Sequence, residues 1–117
     1  MILEWKIDYY ETTAGKYPVK EFIDDLDAKA KSKVVNALDL LEEFGIKVGP
    51  PKVEKVLGTD LWELRIVGRD NIRIFYVAKT SKSFLLLHAF FKKKQKTDKK
   101  EIKIAQDRLK DYKSRSV

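Results

Sequence analysis

The residues of this chain best equipped for chemistry are two arginines, a carboxylate, a histidine and a run of lysines, all in its second half. Arg65 and Arg73 stand in the apolar segments Leu61–Val67 and Ile72–Lys79, which read as consecutive strands joined by the turn-rich Gly68-Arg69-Asp70-Asn71. Directly opposed residues of an antiparallel pair share a face. An even-sum register with an odd-length loop around Arg69 therefore sets Arg65 opposite Arg73, Glu63 opposite Phe75 and Trp62 opposite Tyr76. Both guanidiniums then project from one face. Opposed cations repel, which is tolerable where an anion such as phosphate sits between them, or where each finds a carboxylate in Glu63 or Asp70.

A third strand, Phe84–Phe91, runs directly into Lys92-Lys93-Lys94-Gln95-Lys96-Thr97. Phosphates on the ammonium groups of Lys92, Lys93, Lys94, Lys96 and Lys99, with a base on the Phe91 ring, are how single-stranded RNA is held. The alternative is a solvated charged strand end. His88 shares strand parity with Phe84, Leu86 and Phe90, which fits either a hydrogen-bonded core imidazole or a general acid or base.

The charge distribution singles out the same place. Residues 1–91 hold 14 Lys and Arg against 14 Asp and Glu, whereas residues 92–117 hold 11 against 4, so the whole formal charge of +7 lies in the last 26 residues. A local positive field of this kind suits a polyanion. Cysteine is absent and there is one histidine, which excludes a disulfide framework, a thiol nucleophile and a two-histidine zinc site. No metal or cofactor is expected. No run approaches the roughly 18–20 apolar residues of a membrane span, and the start lacks the pattern of a signal peptide, so the expected location is the cytoplasm, away from membranes.

The elements that must position these side chains are legible from periodicity. Residues 2–10 alternate, with Leu3, Trp5, Ile7 and Tyr9 against Glu4, Lys6 and Asp8, as a half-buried strand does. Pro18 and Glu21 open a short helix with Phe22, Ile23 and Leu26 on its apolar side. From Asp27 to Phe44 a longer helix carries Ala30, Val34, Ala37, Leu38, Leu41 and Phe44, with Gly45 placed to cap it in a left-handed conformation. Residues 45–60, broken by Gly45, Gly49, Pro50, Pro51 and Gly58, read as a loop. The three strands follow as an antiparallel meander, the last pair joined through Thr80-Ser81-Lys82-Ser83. The Phe84–Phe91 strand is apolar on both faces, which suits burial between two layers. Thr97 suits the N-cap of a final helix with Ile102, Ala105, Leu109 and Tyr112. The order is β-α-α-β-β-β-α: one α+β domain, residues 1–117, in which strand one and the meander form an antiparallel sheet packed with two N-terminal helices and one C-terminal helix.

Three segments carry a resemblance: Leu61-Trp62-Glu63-Leu64-Arg65, Arg73-Ile74-Phe75-Tyr76, and Leu87-His88-Ala89-Phe90-Phe91-Lys92-Lys93-Lys94-Gln95-Lys96-Thr97 with Glu101-Ile102 and Ala105 after it. Together they resemble the phage-related HigB-like branch of the RelE toxin superfamily, over most of the chain. The resemblance implies a RelE-like fold and the toxin of a type II toxin–antitoxin system. The implied activity is an mRNA endoribonuclease acting on translating ribosomes. The implied partners are mRNA, the ribosome and a cognate antitoxin, commonly a helix-turn-helix protein in this branch. Arg65, Arg73 and Lys92 to Lys94 lie where the family keeps basic groups. Glu63 fits the branch's Trp-Glu-Leu-Arg pattern as either a base or a positioner of arginine. Where other superfamily members use a C-terminal tyrosine or histidine, this chain has Lys96, Thr97 and a distant Tyr112, which leaves the last proton donor open.

The implied chemistry is metal-independent attack of a ribose 2′-OH on the adjacent phosphate. Arg65, Arg73, Lys93, Glu63 and His88 are the candidate catalytic set, and Phe91, Lys92, Lys94, Lys96 and Lys99 the candidate RNA contacts. Two other classes use the same residues: a non-catalytic RNA- or DNA-binding module, and a protein whose basic C-terminal helix docks an acidic partner.

Overall fold

The computed structural model describes residues 5–79 and 82–115. Leu3 and Glu4 of the expected first strand, and Thr80 and Ser81 of the expected turn, lie outside them. The chain runs β1 (Lys6–Tyr9), α1 (Pro18–Asp24), α2 (Ala28–Phe44), a 3₁₀ turn (Gly45–Lys47), β2 (Val53–Lys55), β3 (Trp62–Ile66), β4 (Ile72–Lys79), β5 (Ser83–Phe91) and α3 (Lys99–Arg115). The architecture is α+β: three helices on a five-stranded sheet of order β1-β5-β4-β3-β2.

Strand β5 lies between β1 and β4 and is covered on both faces, which accounts for its apolar run. On one face Val34, Leu38 and Leu41 of α2 and Val19 and Ile23 of α1 pack against Leu64, Ile74, Phe84 and Leu86. On the other, Ala105 of α3, with Ile102, Leu109 and Tyr112, packs against Leu61, Phe75, Leu85, Leu87 and Phe90. Helix α2 follows its sequence signals at both ends. Asp27 Oδ1 accepts from the Ala30 N–H at 2.8 Å to cap α2. Gly45 ends α2 with φ +57° and ψ −130°, and its N–H donates to the Leu41 carbonyl. A Cβ there would run into the Trp5 indole, whose ring stacks on Phe84 with centroids 4.6 Å apart.

The expected antiparallel sheet is instead mixed, because β1 pairs in parallel with β5, Ile7 opposite Phe84 and Tyr9 opposite Leu86. Connectivity dictates this. Helices α1 and α2 carry the chain across one face from β1 to the far edge, where β2 runs opposite to β1, and three reversals then return β5 in the direction of β1. Alternation identifies a strand but says nothing of its partner's direction. Strand β2 itself lies inside the expected loop, being too short at three residues to show a period.

Two further departures shape the site. The β4–β5 register slips between Phe75, opposite His88, and Tyr76, opposite Leu86, so Leu87 is the extra residue of a β-bulge. Phe84 and Leu86 therefore face α1 and α2 while His88 and Phe90 face α3, and the expected shared parity of His88 with Phe84 and Leu86 does not hold. The cap of α3 is Asp98, not Thr97: Asp98 Oδ1 accepts from the Lys100 N–H at 3.0 Å, and its carbonyl accepts from the Glu101 N–H. Among the described residues no helix is long and apolar enough to cross a membrane.

Candidate functional site

Strands β3 and β4 pair so that Arg65 stands directly opposite Arg73, Glu63 opposite Phe75 and Trp62 opposite Tyr76, the even-sum register. Both arginines and Glu63 lie on the face covered by α3, toward the end of the sheet where the lysine segment leaves β5. The Glu63 carboxylate stands between the guanidiniums, 2.9 Å from Arg65 Nε and 3.8 Å from Arg73 Nε. Glu54 of β2 takes the other side of Arg65, at 2.9 Å from Nη2, and the Thr97 hydroxyl, not needed as a helix cap, donates to Glu63 at 3.4 Å.

The two arginines differ in environment. The hydrogen bond that Arg65 donates to Glu63, reinforced by Glu54, holds the Arg65 guanidinium above its ordinary pKa, whereas burial and then the charge of Arg65 depress that of Arg73, against the opposing pull of Glu63. Arg73 is 8% exposed; its Nη1 donates to the Ile72 carbonyl, and its buried Nε–H has no hydrogen-bond partner among the described residues. A buried N–H of a permanent cation left unpaired costs free energy, so the position favours an incoming acceptor.

His88 lies on the same face, stacked on Phe90 at 5.3 Å with an interplanar angle of 17°. Its Nε2 is 3.2 Å from Glu101 Oε1, and its Nδ1 is 3.4 Å from Arg108 Nη1, a guanidinium that also donates to the bulged Leu87 carbonyl at 2.8 Å. Burial lowers the imidazole pKa, Arg108 lowers it further, and Glu101 opposes both.

The lysine segment continues β5: the Lys92 N–H donates to the Asn71 carbonyl at 2.8 Å. Lys93, Lys94, Lys96 and Lys99 are exposed and Lys92 half-buried. Lys92, Lys93, Lys94 and Lys96 line a cleft of about 200 Å³ with Phe90, Thr97 and Glu101. Phe91 borders this cleft, yet its ring leans on Phe22 of α1 at 4.9 Å, across the sheet from Arg73 and His88. Thus Glu63, Arg65 and Arg73 form one cluster, His88 meets Glu101 beside it, and Lys92, Lys93, Lys94 and Lys96 rim the cleft, which Lys99 does not line. Among the described residues no three His, Asp or Glu side chains are grouped to hold a metal ion.

A family model described as phage derived protein Gp49-like (DUF891) matches residues 21–110, most of the chain. The chain belongs to the Gp49-like family. It is a toxin-like, phage-derived family. No curated protein matches the chain.

The Gp49-like match takes in both arginines, Glu63, the lysine segment and α3 as far as Lys110, and leaves out β1. Within it, the sequence reading missed Glu54, Glu101 and Arg108 as neighbours of the site. Glu101, Ala105 and Arg108 follow one another at four and three residues, so the stripe that buries Ala105 also aims the two charges at β5. That spacing was a usable signal. Glu54 had none, since β2 is not recognisable from its own residues.

Proposed function

We propose that this Gp49-like protein is the toxin of a type II toxin–antitoxin pair, of the HigB-like branch of the RelE superfamily. In this reading it is a cytoplasmic endoribonuclease that cleaves mRNA on translating ribosomes without a metal. The ribose 2′-OH loses its proton and attacks the adjacent phosphorus in line. The 2′-O–P bond forms as the P–O5′ bond breaks, leaving a 2′,3′-cyclic phosphate and a 5′-OH.

The observation that carries the reading is Arg73: a buried guanidinium whose Nε–H has no partner among the described residues, opposite a second arginine and beside a cleft rimmed by lysines. Fixed donors aimed at developing negative charge contribute several kcal/mol in a site that excludes water. Arg73 meets the phosphorane oxygens, Arg65 and Glu63 hold its position, and an ammonium of Lys92, Lys93 or Lys94 protonates the departing O5′. Those lysines, with Lys96 and Lys99, also neutralise neighbouring phosphates, and Phe91 offers a ring to a base. Positioning by the ribosome supplies much of the remainder, on the order of 7–11 kcal/mol for well-oriented reactants. The antitoxin, commonly a helix-turn-helix protein in this branch, restrains the toxin in the cell.

The test is induction without the antitoxin, followed by mapping of mRNA 5′ ends. New 5′-hydroxyl ends inside coding regions, absent with Arg73→Ala and suppressed by the partner encoded beside the toxin, are expected. Intact mRNA under induction of the folded protein would leave a binding protein.

A further inference from the structure

We propose that Glu101, in the first turn of α3, is the general base that takes the proton from the ribose 2′-OH, and that His88 is the residue that positions it. The proposal rests on the ribonuclease reading above and adds to it a residue that the arginine and lysine set lacks.

The hydrogen-bond chain fixes the roles. Arg108 Nη1 lies 3.4 Å from His88 Nδ1, and a guanidinium nitrogen can only donate. Nδ1 is therefore the acceptor, the ring proton sits on Nε2, and Nε2–H donates to Glu101 Oε1 at 3.2 Å. Burial of the ring, 12% exposed, favours the same neutral form. Stacking on Phe90 fixes its plane. A neutral imidazole orients the carboxylate without cancelling its charge, and the second carboxylate oxygen can accept from a substrate hydroxyl. His88 itself has both nitrogens turned to protein groups, so it acts through Glu101.

Glu101 also stands in the right place. It lines the cleft rimmed by Lys92, Lys93, Lys94 and Lys96, and the Phe90 beneath His88 is directly opposite Arg73, one strand spacing of about 4.8 Å away. Glu63, the other carboxylate, is already matched by Arg65, with Arg73 and Thr97 close by. In the step, Glu101 accepts the 2′ proton as the 2′-O–P bond forms, and a cleft ammonium gives its proton to O5′ as the P–O5′ bond breaks. Solvent then returns the proton from Glu101 to the lysine.

Single-turnover cleavage on programmed ribosomes tests this across pH, with RNA binding measured beside it. Glu101→Gln is expected to lower the rate about 10²- to 10⁴-fold with RNA affinity no weaker than the parent's. It should also abolish the fall in rate toward acid pH that a carboxylate base requires of the parent. Glu101→Asp, which keeps a carboxylate, retains the acid limb and is faster than Glu101→Gln. His88→Ala lowers the maximal rate, and His88→Gln, whose amide still donates, restores part of it. Cleavage by Glu101→Gln at the parent rate, or His88→Gln as inactive as His88→Ala, overturns the proposal while leaving the ribonuclease reading intact. A parent protein that cleaves no RNA overturns both.

Discussion

Replacing Arg73 by alanine separates grip from catalysis, and the structure sets the size of both effects. The side chain is 10% exposed, donates to the Ile72 carbonyl at 3.1 Å and stands 3.8 Å from the Glu63 carboxylate. From sequence, an arginine on the polar face of a strand is expected to be truncated at little cost in stability. Its burial changes that expectation, because the deletion leaves a gap under α3 and removes a cation from beside a carboxylate that is itself 6% exposed. Arg65, at 2.9 Å, still compensates Glu63, so the loss should stay at about 1–3 kcal/mol, visible as a lower urea midpoint with an unchanged slope. Losing one fixed donor to a developing oxyanion costs a further 10²- to 10³-fold in rate, about 2.7–4 kcal/mol. The assay is single-turnover cleavage on programmed ribosomes, well below the variant's melting temperature and at saturating protein. Arg73→Lys, which keeps the charge but loses the planar fork, should fall between parent and Arg73→Ala. Parent-rate cleavage by folded Arg73→Ala would refute the assignment and make this end of the sheet a binding surface.

Replacing Lys92, Lys93 and Lys94 together by glutamine should flatten the log–log salt dependence of RNA binding by about two units, since each phosphate contact on a single strand contributes about 0.7; an unchanged slope would make the run solvated decoration. Gly45→Ala should cost at least about 2 kcal/mol in urea unfolding, because alanine resists φ +57° with ψ −130° and its Cβ meets the Trp5 indole. His88, whose folded pKa burial and Arg108 depress below the ordinary 6.5 despite Glu101, takes its proton first in the unfolded chain. Its contribution is therefore full above about pH 6.5 and lost as pH falls toward the folded pKa. Stability measured at pH 7.5 and 5.5 should drop more in the parent than in His88→Gln, and equal drops would refute the burial argument.

What the sequence revealed follows from the range of the interactions involved. The helices, the meander and the Arg65–Arg73 register are local: caps, periods and a loop length determine them, and the opposed arginines were legible because one register satisfies both strands. The parallel β1–β5 pair and β2 depend on contacts between residues far apart in the chain, for which single-strand alternation carries no code. The bulge at Leu87 was invisible for a related reason, since an all-apolar strand reads the same whichever way each side chain turns. It nonetheless decides the site, because it turns His88 away from the side of α1 and α2 and toward Glu101 and Arg108. The Thr97 and Asp98 caps differ by one residue, and that shift frees the Thr97 hydroxyl for Glu63.

The two arginines, alike in sequence, are unlike in the fold, and this yields a last prediction. Arg65 is bound at 2.9 Å by both Glu63 and Glu54, so its charge is matched within the protein. Glu63 is bound to Arg65 and merely near Arg73, at 3.8 Å, which leaves the buried Arg73 Nε–H without a hydrogen-bond partner among the described residues. Arg65 thus works in part by restraining Glu63. With Arg65→Ala the carboxylate loses its closest partner and can move the remaining distance onto Arg73, occupying the place a phosphate needs. RNA affinity and cleavage should then fall together, unlike Arg73→Ala, in which the rate falls further than the affinity. Adding Glu63→Gln to Arg65→Ala removes the competing charge at nearly equal size, and should recover RNA affinity relative to Arg65→Ala alone. A double variant that binds no better than the single one would show that Arg65 contacts the RNA itself, and that Glu63 does not compete for Arg73.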